Sequence, residues 1–477
     1  MTEIRTRFAP SPTGFMHVGN LRTGLFAYLT AKHANGTFVL RLEDTDKNRE
    51  VEGSAEHIKE CLELLGITWD EGLDVGGAHA PYQQSQRLDI YKAWAQKLID
   101  AGRAYADPYT PEEVQTFREQ AQNEKRAFLY RNHRPENPPI WDGSQPLRFK
   151  SDPKPYTWQD EVMGELKSGP EVIDDFILIK SDGYPTYNFA HIVDDAEMQI
   201  THVIRGQEFL SSQPNYMNLY EALEVEAPVF ATMPHILNEN GNKKLGKRDG
   251  AKDVLDYVRE GFLPETLLGF IATLGWNDGT EQEVFTKQEL IEKFDLKRVQ
   301  RSGARFDEKR LLWMNGQFIR ALSIEDLATR IEPFWPEAAR AAEPSYKAKV
   351  LTLAQDRLKT LLDLPALTTY FFTEPDADIS LINTNKQLAR LTNEERDTLL
   401  TSAHAALREL TEWNADSIQE CLNSLLETTG QKPGILFSLI RIATTWAPFS
   451  PQLNDTLELL GKDRVLGRLQ QAADLLK

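Results

Sequence analysis

The spacing of apolar residues changes period several times along the chain. Residues 4–9 read as a strand. Residues 19–34 carry Leu21, Leu25, Tyr28 and Leu29 at helical spacing, stopped by Asn35-Gly36. TFVLRL (37–42) reads as a second strand, closed by the acidic turn Glu43-Asp44-Thr45-Asp46, and residues 54–65 place Ile58, Cys61, Leu62 and Leu65 on one helical face. Strand, helix, strand, helix predicts a parallel, doubly wound sheet. The pattern then breaks. Residues 80–175 are rich in Pro, Trp and Arg (NHRPENPPIWDG) and read as an insertion. Strand-like runs return at 176–180 (FILIK) and 199–205 (QITHVIR). Past residue 320 the periodicity is helical almost throughout, as in KVLTLAQDRLKTLLDL, SIQECLNSLLETTG and DTLELLGKDRVLGRLQQAADLL.

The expected architecture is an α/β Rossmann-type domain split by a mixed α/β insertion and followed by an all-α C-terminal region. Its segments are 1–79 with 176–228, the insertion 80–175, a connecting domain 229–320, and two helical domains, 321–372 and 373–477. No repeat or low-complexity tract interrupts them. Composition adds limits. No apolar run approaches the ~18 residues that span a bilayer. The start, MTEIRTRF, has no secretory h-region. Cys61 and Cys421 both fall on apolar helical faces and read as buried, reduced thiols, which fits a cytoplasmic enzyme. The net charge of −18 opposes unspecific binding of polyanions, so any nucleic-acid contact must use local basic surface.

Four dispersed stretches carry candidate chemistry. RTRFAPSPTGFMHVGN (5–20) sets His17 and Gly19 where a strand hands over to a helix, whose free N–H groups and dipole suit a phosphate. KKLGKRDGA (243–251) puts Lys244, Lys247 and Arg248 among glycines, and cations there suit a triphosphate whose charge shifts during reaction. Arg7, Ser11 and Glu43 should face the crevice at the carboxyl ends of the strands. Tyr184-Pro185-Thr186-Tyr187-Asn188 and HVIRGQE, which supplies Arg205 and Glu208, should reach the same rim. Each stretch alone also fits a plain turn, a solvated basic loop or a surface ion pair.

Together they resemble one family. APSPTGFMHVGN is similar to the HIGH signature of class I aminoacyl-tRNA synthetases in the form used by the glutamate branch, and KKLGKR resembles the matching KMSKS loop. RLEDTD, KSDGYPTYNFAHIVDD, THVIRGQE, FLPETLLGFIATLGW and RLLWMNGQFI resemble stretches of bacterial glutamyl-tRNA synthetases in the same order, closely over residues 4–320 and more loosely beyond. The resemblance implies ATP-dependent ligation of L-glutamate to tRNA-Glu through glutamyl-adenylate, with Mg²⁺ accompanying ATP, and activation that usually requires tRNA. It implies that His17, Lys244 and Lys247 act on the triphosphate and that Gly19 and Glu208 join them in the ATP site. Arg7, Ser11, Glu43, Tyr187 and Arg205 would form the glutamate pocket. The helical region would bind the anticodon, with Arg357 where the family can reject one anticodon base. That position favours tRNA-Glu over an enzyme that also charges tRNA-Gln. A monomer without a membrane role is expected.

Three departures carry expectations of their own. The second His of HIGH is Asn20, at a position that varies in the branch. The serine of the KMSKS-type loop is Gly246, which should slow ATP activation relative to a serine. Some relatives hold zinc in the insertion, whereas AYADPYTPEE here has Asp107 and Tyr109 and no cysteine, so no zinc is expected. The basic groups Arg118, Lys125, Arg126, Arg131 and Arg134, and Lys297, Arg298, Arg301, Arg305, Lys309 and Arg310, fall where the family contacts the acceptor end and the inner corner of tRNA. Glutamine-specific relatives have β-barrel anticodon domains, which the helical third argues against. A catalytically silent tRNA-binding paralogue or a small nucleotidyltransferase would account for fewer of these residues.

Overall fold

The computed structural model describes residues 3–246 and 252–477. The elements begin with β1 (Arg5–Phe8), α1 (Val18–His33), β2 (Thr37–Leu40), α2 (Ser54–Leu64) and β3 (Glu71–Gly72). Next come α3 (Leu88–Asp100), β4 (Ala104–Ala106), α4 (Pro111–Asn123), β5 (Leu147–Phe149), β6 (Tyr156–Asp160), β7 (Gly164–Ser168) and β8 (Ile177–Ile179). The site-bearing part ends with α5 (Tyr187–Glu197), β9 (His202–Gly206), α6 (Gln213–Ala222), β10 (Val229–Met233) and α7 (Val254–Arg259).

A seven-stranded sheet runs in the order β3-β2-β1-β9-β10-β6-β7. β1 pairs in parallel with β2, Arg5 opposite Thr37, and with β9, Thr6 opposite His202. The chain direction of the sheet order therefore reverses at β1, which is where open α/β sheets form their ligand crevice. All four β1 residues are buried, as a strand covered on both faces requires. The helix expected at 19–34 forms as α1, but it is buried nearly all round rather than along one stripe. Its return into β2 needs Gly36, because a Cβ there would collide with the Ile4 carbonyl oxygen.

Three strands lie elsewhere than the sequence pattern suggests. The run at 176–180 forms β8, which pairs antiparallel with β5 in a small sheet of order β4-β5-β8, not with the parallel strands. The hairpin β6–β7, inside the stretch read as an insertion, extends the large sheet by pairing Asp160 with Phe230 of β10. Its alternating burial leaves no continuous apolar run of the kind that marks a buried parallel strand. Asp160 secures the join, accepting from the Thr232 N–H at 3.1 Å and its hydroxyl at 2.6 Å.

The chain divides into two compact units: residues up to Tyr257 with Leu267–Glu308, and Val258–Thr266 with Lys309–Lys477. Among the described residues all strands fall in the first unit. The second is helical, with Asn393–Arg408, Ala415–Thr429, Pro433–Thr445 and Lys462–Asp474 around a core including Leu400, Leu422, Leu439 and Leu469. Caps explain its boundaries: Thr392 and Glu395 form a reciprocal cap, and Pro433 opens its helix at the first turn. Among the described residues no helix is long and apolar enough to cross a membrane. Cys61 is buried as expected, whereas Cys421 is half-buried at the margin of the helical core.

Candidate active site

A cavity of about 230 Å³ opens where β1 and β9 lie side by side. Arg7, Ser11, Glu43, Tyr187, Arg205 and Glu208 all line it. They arrive from β1, the turn after it, the end of β2, the start of α5, β9 and the turn beyond. The five residues expected to hold glutamate thus come together in one crevice with the expected ATP-side carboxylate.

The two arginines differ. Arg7 is committed: its Nε donates to Asp195 Oδ1 and Oδ2 at 3.1 and 3.3 Å, and its Nη1 donates to the Ile204 carbonyl at 3.3 Å. Arg205 is buried, and its Nη1 has no hydrogen-bond partner. Its guanidinium carbon lies 5.0 Å from the ring centre of Tyr216, 5.3 Å from Phe230 and 5.7 Å from Phe209. Ring faces attract a cation but do not neutralise it. A buried guanidinium with an unused donor is therefore built for an anion supplied from outside, and planar carboxylate matches its fork.

Beneath the pocket lies a cation that the sequence reading did not single out. Arg41, fully buried at the end of β2, donates from Nη2 to Glu43 at 2.9 Å and from Nη1 to Asp195 at 2.8 Å, and its Nε lies 3.7 Å from Asp194. Arg87 and Tyr91 bind the other side of Asp194, at 2.7 and 2.9 Å. Burial works against charge on Arg41, but Asp195, Asp194 and Glu43 outweigh it and hold the guanidinium protonated. Burial likewise raises Asp195, yet Arg7 and Arg41 bring it down to about 2. Burial pushes Glu43 up to about 7, with Arg41 and Arg7 pulling the other way. The paired acids of VDD (193–195) and the arginine of RLEDTD were visible, but their meeting depends on sheet order, not on spacing.

Glu43 is the carboxylate expected to meet the substrate ammonium, and its charge is lost as pH falls through about 7. Its ionised fraction, and with it affinity for an amino acid, should drop about tenfold from pH 8 to pH 6. Steady-state KM for glutamate across that range checks this. Glu43→Gln should raise KM at pH 8 and flatten the profile.

Tyr187 stacks on His191 at 4.7 Å and on Phe209 at 5.2 Å, so the aromatic wall beside Arg205 is continuous. Burial, then Arg205, lowers His191 to about 3, so it stands neutral and donates from Nδ1 to the Tyr187 carbonyl at 2.7 Å.

The expected phosphate side begins at His17, which caps α1 by accepting from the Gly19 N–H at 3.1 Å. A Cβ at residue 19 would crowd this imidazole at 3.1 Å, which accounts for glycine there. Glu208 links this region to the lysine segment: its carboxylate lies 3.8 Å from Lys244 Nζ and 3.9 Å from His235 Nδ1. Lys247 and Arg248 lie outside the described residues.

The basic groups divide. Arg134 is paired with Asp175 through two contacts of 2.7 Å, and Arg131 donates to the Pro170 carbonyl at 2.8 Å, so both brace the small sheet region. Arg118 and Lys125 remain exposed nearby, and Lys297, Arg298, Arg301 and Arg305 are exposed in the first unit. Asp107 accepts from Arg148 at 2.7 Å and from the Tyr130 hydroxyl at 2.5 Å, so its carboxylate is tied to an ion pair. In the helical unit, Arg357 is exposed and lines a cavity of about 900 Å³ with Tyr346, Asp356 and Asp455.

Comparison with known proteins agrees with this geometry. Residues 3–313 match the family model described as tRNA synthetases class I (E and Q), catalytic domain, and residues 326–473 match an anticodon binding domain. A glutamate--tRNA ligase of Dehalococcoides mccartyi is 40% identical, with 98% of this chain and 97% of that protein covered. One from Clostridium kluyveri is 38% identical over 100% and 99%. The crystal structure of a glutamate tRNA ligase from Elizabethkingia meningosepticum in complex with its amino acid superposes with a TM-score of 0.88 at 33% identity, covering both chains completely. With a catalytic model matched over more than half its length and relatives this similar from end to end, the chain belongs to the class I tRNA synthetases of the glutamate and glutamine branch.

Proposed function

We propose that this chain ligates L-glutamate to tRNA-Glu in two steps, with ATP consumed and AMP and pyrophosphate released. The observation that carries the amino-acid assignment is the unpartnered Nη1 of buried Arg205. A glutamate side-chain carboxylate completes that guanidinium, whereas a glutamine amide would leave its charge unpaired, and such sites reject the analogue by factors on the order of 10⁴. Arg7, held by Asp195, presents its remaining edge to the same cavity, and Glu43 receives the ammonium. The α-carboxylate is then free to attack the α-phosphorus of ATP in line.

In the first step the residues position and stabilise charge; they form no covalent intermediate. His17 and the first N–H groups of α1 receive phosphate oxygens, and Lys244 and Lys247 draw off the charge that develops on pyrophosphate. Mg²⁺ arriving with ATP would supply neutralisation of the triphosphate charge. Such an ion takes oxygen ligands, and the carboxylate of Glu208, beside Lys244, would be the one to hold it. In the second step the terminal 2′-hydroxyl of tRNA attacks the acyl-adenylate, and AMP leaves. Exposed Arg118, Lys125, Lys297, Arg298, Arg301 and Arg305 supply phosphate contacts for the tRNA on a protein that otherwise repels it.

The exposed position of Arg357 on its cavity supports discrimination at the anticodon and so a preference for tRNA-Glu. Aminoacylation of tRNA-Glu and tRNA-Gln transcripts with labelled glutamate tests both parts of the reading. Charging of tRNA-Glu alone is expected. Equal efficiency on tRNA-Gln would leave the reaction intact and overturn the discrimination.

A further inference from the structure

We infer that His57 is a positioning residue that fixes the turn bearing His17 against the chain returning from the lysine segment, so that the imidazole of the one and Lys244 of the other reach one triphosphate. This inference rests on the ATP reading above.

His57 is buried on α2. Its Nδ1 accepts from the Met16 N–H at 3.3 Å, and its Nε2 lies 2.8 Å from Asp253 Oδ2. Met16 precedes His17. Asp253 stands where the segment beginning at Lys244 comes back to the turn: it forms an antiparallel bridge with His17, and the Val254 N–H donates to the Met16 carbonyl at 3.2 Å. The other end of that segment is also anchored, by a bridge between Lys244 and Leu237. Asp253 Oδ1 meanwhile accepts from the Leu255 N–H at 2.9 Å, at the start of α7. A closed ring results: Met16 N–H to His57, His57 to Asp253, and the chain after Asp253 back to the Met16 carbonyl. α2 grips the same turn once more, through Ser54 Oγ donating to the Gly14 carbonyl at 2.7 Å. Imidazole suits the link because its neutral form has one acceptor and one donor nitrogen pointing apart.

Cys61 brings a third metal-ligating atom to the cluster, its Sγ 3.7 Å from His57 Nδ1. The hydrogen bonds argue against a metal here. With Nδ1 accepting a backbone N–H, the neutral ring must carry its proton on Nε2, the nitrogen a metal between His57 and Asp253 would need. Burial also pushes the Cys61 thiol up to about 12, away from the thiolate that binds zinc.

The test is a double-mutant cycle in the full chain, read by glutamate-dependent pyrophosphate exchange with tRNA present. His57→Leu and Asp253→Ala should each lower kcat/KM for ATP about tenfold or more, since small misplacements of reacting groups are costly. KM for glutamate should stay within about twofold. The double variant should be no worse than the poorer single one, and His57→Gln, which keeps a donor and an acceptor, should recover part of the loss. If His57→Leu does not fold, Asp253→Asn carries the same expectation. Losses that multiply in the double variant, fall equally on both substrates or stay within twofold of the unaltered chain would overturn the inference. So would stoichiometric zinc that is lost in Cys61→Ser. Absence of exchange in the unaltered chain would instead overturn the ATP reading itself, and the inference with it.

Discussion

Arg205→Leu is expected to lower kcat/KM for glutamate by a factor of about 10³ or more in pyrophosphate exchange, while binding of ATP and overall stability survive. The second half of this expectation separates a binding group from a structural one. Arg205 has no ion-pair partner among the described residues, and its Nη1 is unbonded, so its removal strands no buried carboxylate. Taking an uncompensated charge out of an aromatic-walled site should leave Tm unchanged or raise it. Arg205→Lys should restore little, because an ammonium lacks the planar fork. Exchange rates within tenfold of the unaltered chain would mean that the substrate carboxylate is held elsewhere.

Arg41→Met should do the opposite. It removes the cation shared by Glu43, Asp194 and Asp195, all of them buried. Breaking a buried network by deleting one partner costs about 3–5 kcal/mol, because the remaining charges stay desolvated. For a unit of this size that corresponds to a fall in Tm on the order of 10 °C. Activity should fall as well, since Glu43 loses the group that orients it. Scanning calorimetry of the two arginine variants side by side gives the clearest readout: two buried guanidinium groups, changed to apolar residues, with a fall in Tm for Arg41→Met and none for Arg205→Leu. A Tm for Arg41→Met within about 2 °C of the unaltered chain would show that the acids are neutralised by other means.

The contrast between these arginines also shows what could be read from the sequence. Arg7 and Arg205 stood out because each leaves a strand next to turn chemistry, and β1 and β9 do lie side by side. Arg41 sits in the same kind of place, but its role depends on Asp194 and Asp195, about 150 residues away and on the far side of the insertion. Helices announced themselves through periodicity, as in SIQECLNSLLETTG. β6–β7 did not, because a partly buried hairpin shows no long apolar run. Arg131 and Arg134 resembled surface cations in composition and are instead tied to backbone and to Asp175. His57 did not stand out in the sequence, since the hydrogen bonds at its two nitrogens run to segments before and after it in the chain.

The pairing of β1 with β9 bears on how the protein is made. Thr6 and His202 are 202 − 6 = 196 residues apart, and a ribosome adding 5–20 residues per second needs about 10–40 s to deliver the second after the first. Through that interval β1 has only β2 beside it, and the apolar helix between them lacks the cover that β9 and the helix Lys287–Lys293 give it. Nascent chains of this protein should therefore depend on holdase chaperones until the second half of the sheet emerges.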